Sequence, residues 1–230
     1  MAELDPKIAV VSGSGLNLRP LLDSIHDVVS FEAACNLGHA PLAGHDRAFV
    51  TGTCANKTMI LQCGRLHFYE GLPYETVTAP VDYLHAQGIR TIVFTNVVGG
   101  LLPDMNPGDL VAITRLHTWP FVDWTNRPES IDTDFIIPGC DFTGDYRWMH
   151  GPNYETRAEI EILRHLGGFV VGMSTAPEAQ RCRELGIRFA VISCVTNNCC
   201  SPTPLTHHDV VSVARRFSER LCKLLRRHLS

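Results

Sequence analysis

Short β-branched apolar runs that stop at glycine or a polar cluster, with helix-like stretches between them, constrain this chain more than any other feature. Lys7 to Ser12 reads as a buried strand ending at Gly13-Ser14-Gly15. Thr58 to Cys63, Arg90 to Thr95, Asp109 to Thr114 and Arg188 to Val195 have the same character. Helical segments fall between them. Pro80 to Gln87 stops at Gly88, Arg157 to Leu166 stops at Gly167-Gly168, and Pro177 to Leu185 stops at Gly186. From about His208 to Leu225, Val210, Ala214, Phe217, Leu221, Leu224 and Leu225 recur at helical spacing. Arg226-Arg227-His228 then suit the negative end of the helix dipole. Strand-helix alternation of this kind predicts an α/β fold: a single domain with a central mixed β-sheet flanked by helices. One stretch breaks the rhythm. Trp119 to Arg147 turns to Asp, Pro, Gly, Thr and aromatics without helical period, and reads as a long excursion from that domain.

Composition removes whole classes of function. No apolar run approaches the ~18 residues of a membrane span. A net charge of −4 without a basic run argues against a nucleic-acid surface. The opening Met-Ala-Glu-Leu-Asp-Pro lacks the basic-then-apolar layout of a signal peptide, so a cytoplasmic location is expected. The nine cysteines are then expected to be reduced and to act mostly as small apolar residues. Cys194 with Cys199-Cys200 lacks the paired spacing of a zinc site. Only 19% of the residues are charged, a fraction that fits surface hidden against sister subunits.

Several motifs carry chemistry, each with a plain structural alternative. Gly13-Ser14-Gly15-Leu16 follows a strand and is either an ordinary glycine turn or a cradle of backbone N–H groups for phosphate. In Gly64-Arg65-Leu66-His67-Phe68-Tyr69-Glu70-Gly71, continuation of the preceding strand places Arg65, His67 and Tyr69 on one face. Such a face is an anion site or a solvent-exposed surface. Thr95-Asn96-Val97-Val98-Gly99-Gly100 lies at a strand's carboxyl end, where α/β sheets bind ligands, or simply terminates the strand. Glu155, in Gly151-Pro152-Asn153-Tyr154-Glu155-Thr156, is a first-turn helix acid or a carboxylate for a heterocyclic base. Gly172 to Glu178 ends a strand and opens a helix, with Thr175 a candidate N-cap.

Taken in order, these pieces resemble the trimeric purine nucleoside phosphorylases and the related methylthioadenosine phosphorylases. The matching segments are Gly13 to Leu16, Gly44-His45, Gln62 through Gly71, Thr95-Asn96 with Gly99-Gly100, and Pro107-Gly108-Asp109. They continue through Gly151-Pro152, Tyr154-Glu155-Thr156, Gly172 to Glu178 and Thr196-Asn197. The resemblance spans most of the chain except the 119–147 excursion. It implies a pentosyl transferase: phosphate attacks the anomeric carbon of a purine nucleoside, releasing the base and ribose 1-phosphate in purine salvage. It also implies a homotrimer and no metal or organic cofactor, with inorganic phosphate as co-substrate.

Carried over residue by residue, the resemblance implies that Ser14, Arg65, His67, Ser174 and the backbone N–H of Val97 hold phosphate, under a loop bearing His45. Tyr69 and Met173 would contact the ribose, with His207 at its 5′-hydroxyl, while Tyr154 packs on the purine. Glu155 would accept from the base N1–H, and Asn197 would donate to the purine N7 and 6-oxo edge. Asn197, Met173-Ser174-Thr175 and His207 all point to 6-oxopurine nucleosides such as inosine and guanosine. The methylthioadenosine branch carries an aspartate at the position of Asn197. The chain also departs from the family pattern: Val97-Val98 replaces two alanines, Thr114-Arg115-Leu116 replaces Arg-Asp-His, and Asn198-Cys199-Cys200-Ser201-Pro202 is unlike the usual continuation. A long helical segment before Gly151-Pro152 is shortened. The aromatic residue that a neighbouring subunit would supply is unassigned, with Trp119, Phe121, Phe135 and Phe142 the candidates by location. Besides the phosphorylase, a non-catalytic purine- or nucleoside-binding protein on the same scaffold and a methylthioadenosine phosphorylase stand as alternatives.

Overall fold

Alternation along the central strands decides the architecture. In β1 (Lys7–Val11), Ala9 and Val11 enter one core while Ile8 and Val10 enter another. A strand buried on both faces needs cover on both sides. The structure, a computed structural model, describes residues 7–36, 47–118, 127–201 and 207–229; for 207–212, 215 and 216 it describes the backbone only. The remaining strands are β2 (Ser24–Ser30), β3 (Ala48–Cys54), β4 (Lys57–Cys63), β5 (Thr91–Gly100), β6 (Leu110–His117), β7 (Ser130–Asp132), β8 (Phe142–Trp148), β9 (Val170–Gly172) and β10 (Arg188–Asn198). The helices are α1 (Phe31–Cys35), α2 (Tyr74–Ala86), α3 (Arg157–His165), α4 (Ala176–Leu185) and α5 (His207–Leu229).

The strands form one mixed sheet in the order β10-β6-β8-β9-β5-β1-β4-β3-β2, with β7 on β6. A further β10–β5 pairing closes β5, β10, β6, β8 and β9 into a ring. Strands β4, β1, β5 and β10 run parallel, so their carboxyl ends share one edge of the sheet. Val77, Val81 and Leu84 of α2, with Ala176, Ala179 and Cys182 of α4, cover one face. Ala214, Leu221, Leu224 and Leu225 of α5 cover the other, against Ile8, Val10, Val93 and Ile192. The helical spacing of that last segment thus describes the buried stripe of α5; Val210 lies outside the described side chains.

Three elements differ from the sequence expectation. Pro80 lies inside α2 and not at its start, because the helix begins at Tyr74 after Pro73. The Arg65, His67 and Tyr69 strand face does not exist: β4 ends at Cys63, the chain turns at Gly64, and Phe68–Glu70 forms a 3-10 turn. The excursion from 119 to 147 is not a loop throughout. Its described part contains β7 and most of β8, and β8 is an interior strand between β6 and β9 that buries Tyr146 and Trp148. Asp145 and Arg147 hid that strand, since both form polar contacts inside the fold: Thr114 and His117 reach Asp145, and Arg147 bonds the Leu166 carbonyl. Of the candidate aromatics, Phe135 and Phe142 are partly buried against the chain's own cores. Trp119 and Phe121 lie outside the described residues.

Candidate active site

At the carboxyl ends of β1, β4, β5 and β10 the chain leaves a cavity of about 920 Å³. Its lining brings together Ser14, Arg65, His67, Tyr69 and Val97 with Tyr154, Glu155, Met173, Ser174 and Asn197. These are all the expected site residues whose side chains are described. His45 and the His207 side chain lie outside the described residues.

Arg65 is the buried cation of the site, at 2% exposure. Its Nε donates to Glu178 Oε2 at 2.8 Å and its Nη1 to the Thr95 carbonyl at 2.6 Å. Nη2 is buried and has no hydrogen-bond partner. A buried guanidinium donor left unfilled is costly in an empty protein and well suited to an anion. Glu178 belongs to α4 and also accepts from the Thr175 N–H at 3.1 Å, so the same carboxylate fixes both the arginine and the helix start. Thr175 occupies the N-cap position of α4, as one of its alternatives supposed, in a left-handed backbone conformation (φ 75°). That geometry is uncommon for a β-branched residue and is held by the donation of Asn96 Nδ2 to Thr175 Oγ1 at 2.9 Å.

His67 is oriented by a second charged pair. Its backbone N–H donates to Glu70 Oε1 at 2.9 Å, and its Nδ1 lies 3.2 Å from the same oxygen. Arg47 Nη2 holds the other oxygen of Glu70 at 2.5 Å. Burial works against the Glu70 charge, yet the hydrogen bonds from His67 and Arg47 hold its carboxyl down at about 2. The Tyr69 ring stacks on the His67 ring, with centroids 4.6 Å apart. Burial and the nearby Glu70 charge push the Tyr69 phenol up to about 12, so it remains a neutral hydroxyl.

Gly13 explains why the first motif carries glycine. A Cβ there would sit 2.7 Å from the Asn96 Cα and 3.1 Å from the Thr95 carbonyl, so the first turn packs backbone to backbone against the end of β5. The turn is therefore part of the cavity wall and holds Ser14 there beside Arg65, Asn96 and Val97.

Glu155 resolves its two readings in favour of the cavity. The helix acid of α3 is Glu159, which accepts from the Thr156 N–H at 2.7 Å while the Thr156 hydroxyl accepts from the Glu159 N–H. Glu155 therefore precedes the N-cap and faces the cavity, where Oε1 is buried without a partner. Burial pushes its carboxyl above the usual range. Asn197 reaches the same cavity from β10, whose register against β5 shifts between Val195 and Asn197. A bulge of this kind re-aims side chains at a strand end.

Sequence reasoning missed part of the wall. Asn96 was legible as part of a strand end suited to ligands but was given no role of its own, although its Oδ1 is buried and unpartnered here. Arg157, Ile160, Glu161 and Arg164 line the cavity along one face of α3. Their i, i+3, i+4, i+7 spacing was available, but only the position of Glu155 shows that this face borders the site. Cys199 and Cys200 also line it.

A buried arginine with an unpartnered donor and a carboxylate with an unpartnered oxygen thus line one cavity at the carboxyl edge of an α/β sheet. The chain belongs to the phosphorylase superfamily, whose family model matches residues 7–135 and 142–230. Purine nucleoside phosphorylase 1 of Bacillus subtilis is 32% identical over 249 residues, covering 96% of this chain and 90% of that protein. The purine nucleoside phosphorylase of Mycobacterium leprae is 37% identical over 200 residues, covering 80% of this chain and 73% of that one. Isoform 2 of the Schistosoma mansoni enzyme, solved with cytosine and ribose-1-phosphate, superposes with a TM-score of 0.80. It is 24% identical, and the match covers 96% of this chain and 89% of that chain. The last comparison establishes the mixed α/β fold. With relatives so named, the chain is an enzyme of the phosphorylase, or glycosyl-transferring, class.

Proposed function

We propose that this enzyme cleaves 6-oxopurine nucleosides, inosine and guanosine, with inorganic phosphate, giving the free base and ribose 1-phosphate. The observation that carries the reading is the pairing, in one cavity, of a buried Arg65 Nη2 without a partner and a buried Glu155 Oε1 without a partner. One is a charged donor available to phosphate, and the other is an acceptor available to a purine N1–H. Relatives that align over nearly the whole chain are named purine nucleoside phosphorylases.

Phosphate is held by Arg65, Ser14, Ser174, His67 and the Val97 N–H, close to where the anomeric carbon of the ribose rests between Tyr69 and Met173. As the glycosidic bond stretches, positive charge grows on the sugar and negative charge on the departing purine. The phosphate dianion stabilises the first. A hydrogen bond from Asn197 to the N7 and 6-oxo edge, with Glu155 anchoring N1–H, stabilises the second. Tyr154 packs against the base. No metal or organic cofactor enters this scheme. A homotrimeric assembly and a cytoplasmic, salvage role complete the proposal; no helix among the described residues is long and apolar enough to cross a membrane.

Two results check the reading. In a panel of inosine, guanosine, adenosine and methylthioadenosine with phosphate, kcat/KM is expected to favour the two 6-oxopurines. Preference for methylthioadenosine would overturn the base assignment. Second, Glu155 must be ionised to accept from N1–H. Its raised pKa means that protonation sets in at higher pH than for a free glutamate, so kcat/KM for inosine falls early on the acid side. Glu155→Gln is expected to lower kcat/KM by roughly tenfold, the difference between a charged and a neutral acceptor, and to remove that acid limb. An acid limb that persists unchanged in Glu155→Gln would assign it to another group.

A further inference from the structure

The segment after Asn197, Asn198-Cys199-Cys200, is the part of the site that departs from the family pattern, and it is tightly built. Asn198 Nδ2 lies 3.1 Å from the Leu102 carbonyl, 3.2 Å from that of Pro103 and 2.7 Å from that of Met105. Its Oδ1 accepts from the Cys200 N–H at 2.8 Å, and the Cys199 N–H donates to the Gly100 carbonyl at 2.8 Å. The backbone that carries Cys199 is therefore clamped to the loop after β5. Its sulfur lies over Gly99: a Cβ on Gly99 would fall 2.4 Å from Cys199 Sγ and 3.4 Å from Asn197 Nδ2. Absence of a side chain at Gly99 is what lets the sulfur reach the amide. Nδ2 of Asn197 donates to Cys199 Sγ at 3.5 Å, while the single hydroxyl hydrogen of Thr196 is shared between Asn197 Oδ1 at 3.1 Å and the Val98 carbonyl at 3.2 Å. Cys199, like Ile160 of α3, packs against the small core of Leu101, Met149, Leu163 and Val171.

An asparagine amide presents a donor and an acceptor of nearly equal shape, and a half-turn about its last bond exchanges them. A 6-oxo group needs the donor, whereas a 6-amino group needs the acceptor. We propose that Cys199 is a positioning residue that, with Thr196, holds the Asn197 amide in the orientation that presents its remaining N–H to a 6-oxopurine. The thiol takes one Nδ2 hydrogen and Thr196 takes one Oδ1 lone pair, which leaves one donor hydrogen for the base. Burial and the nearby Glu155 charge push the Cys199 thiol up to about 12, so the sulfur stays a neutral partner throughout the working range. This inference rests on the phosphorolysis reading above and adds to it the residue that sets base preference.

The test compares Cys199→Ala with Cys199→Ser in steady-state phosphorolysis of inosine and adenosine, with thermal melting of each variant alongside. Serine keeps an acceptor on the same carbon, and alanine removes it. For Cys199→Ala, kcat for inosine is expected to fall roughly three- to tenfold, the scale of one hydrogen bond, with KM little changed and the inosine-to-adenosine ratio reduced. Cys199→Ser is expected to restore that ratio. An unchanged ratio in Cys199→Ala, or an equal loss with both nucleosides and no rescue by serine, would overturn the role of Cys199 while leaving phosphorolysis intact. Wild-type protein that releases no hypoxanthine from inosine would instead overturn the functional reading, and this inference with it. Should Cys199→Ala fail to fold, the serine variant together with Gly99→Ala, which crowds the sulfur, supplies the comparison: Gly99→Ala is then expected to lower the ratio and Cys199→Ser to keep it. A Gly99→Ala variant with the wild-type ratio would count against the proposal.

Discussion

Asn197→Ala is expected to lower kcat for inosine by about 100-fold or more, the scale of losing one preorganised donor to a developing anion. The side chain sits at the bulged end of β10, opposite Gly99 of β5, and is gripped at both ends of its amide by Thr196 and Cys199. A donor held in this way loses no freedom as the purine takes on charge, so its hydrogen bond strengthens toward the transition state. Loss of the amide should therefore appear in kcat more than in KM. Steady-state kinetics with inosine at saturating phosphate is the check. An unchanged kcat would remove Asn197 from the chemistry.

The second large effect separates stability from phosphate binding. Arg65→Met removes a guanidinium that is 2% exposed and leaves Glu178, 3% exposed, as a buried carboxylate without its cation. Breaking a buried pair from one side costs about 3–5 kcal/mol. Denaturant unfolding of Arg65→Met should show a loss of that size. Arg65→Met combined with Glu178→Gln should recover the larger part, because the neutral amide can still accept from the Thr175 N–H and no isolated charge remains. Phosphate use should not recover. KM for phosphate is expected to rise by roughly 100-fold in both variants, since the Nη2 donor is absent from each. A double variant with wild-type phosphate KM would place the anion elsewhere.

How far the sequence exposed this molecule follows from which residues carried period. Ile8, Ala9, Val10 and Val11 alternate between two cores, and such a run announces a doubly covered strand. Ala214, Leu221, Leu224 and Leu225 announce α5 in the same way. β2 was not legible: Ser-Ile-His-Asp-Val-Val-Ser is almost wholly exposed at the sheet edge, so no apolar period marks it. β8 was hidden for the opposite reason, because Asp145 and Arg147 are polar residues that make their contacts within the fold.

The site divides similarly. Arg65, His67 and Tyr69 were expected on one face of a continuing strand. They reach the cavity from a turn and a 3-10 segment and not from a strand, and the pairs Arg65–Glu178 and Arg47–Glu70 that aim them join residues far apart in sequence. Such partners leave no local signal. Glu155 was ambiguous because Glu159, four residues on, is an equally good helix acid, and only the observed cap assigns that task to Glu159. Cys199 read as an apolar residue outside any motif. Its place against Gly99 and Asn197 depends on a bulge and on the Asn198 clamp, neither of which has a sequence period.

The most direct measurement follows hypoxanthine released from inosine by the wild-type protein, with and without inorganic phosphate, while ribose 1-phosphate is quantified in the same samples. The account predicts release that requires phosphate, with one ribose 1-phosphate formed per hypoxanthine. Release that is indifferent to phosphate and yields free ribose, or no release at all from a protein that binds hypoxanthine by calorimetry, would contradict it.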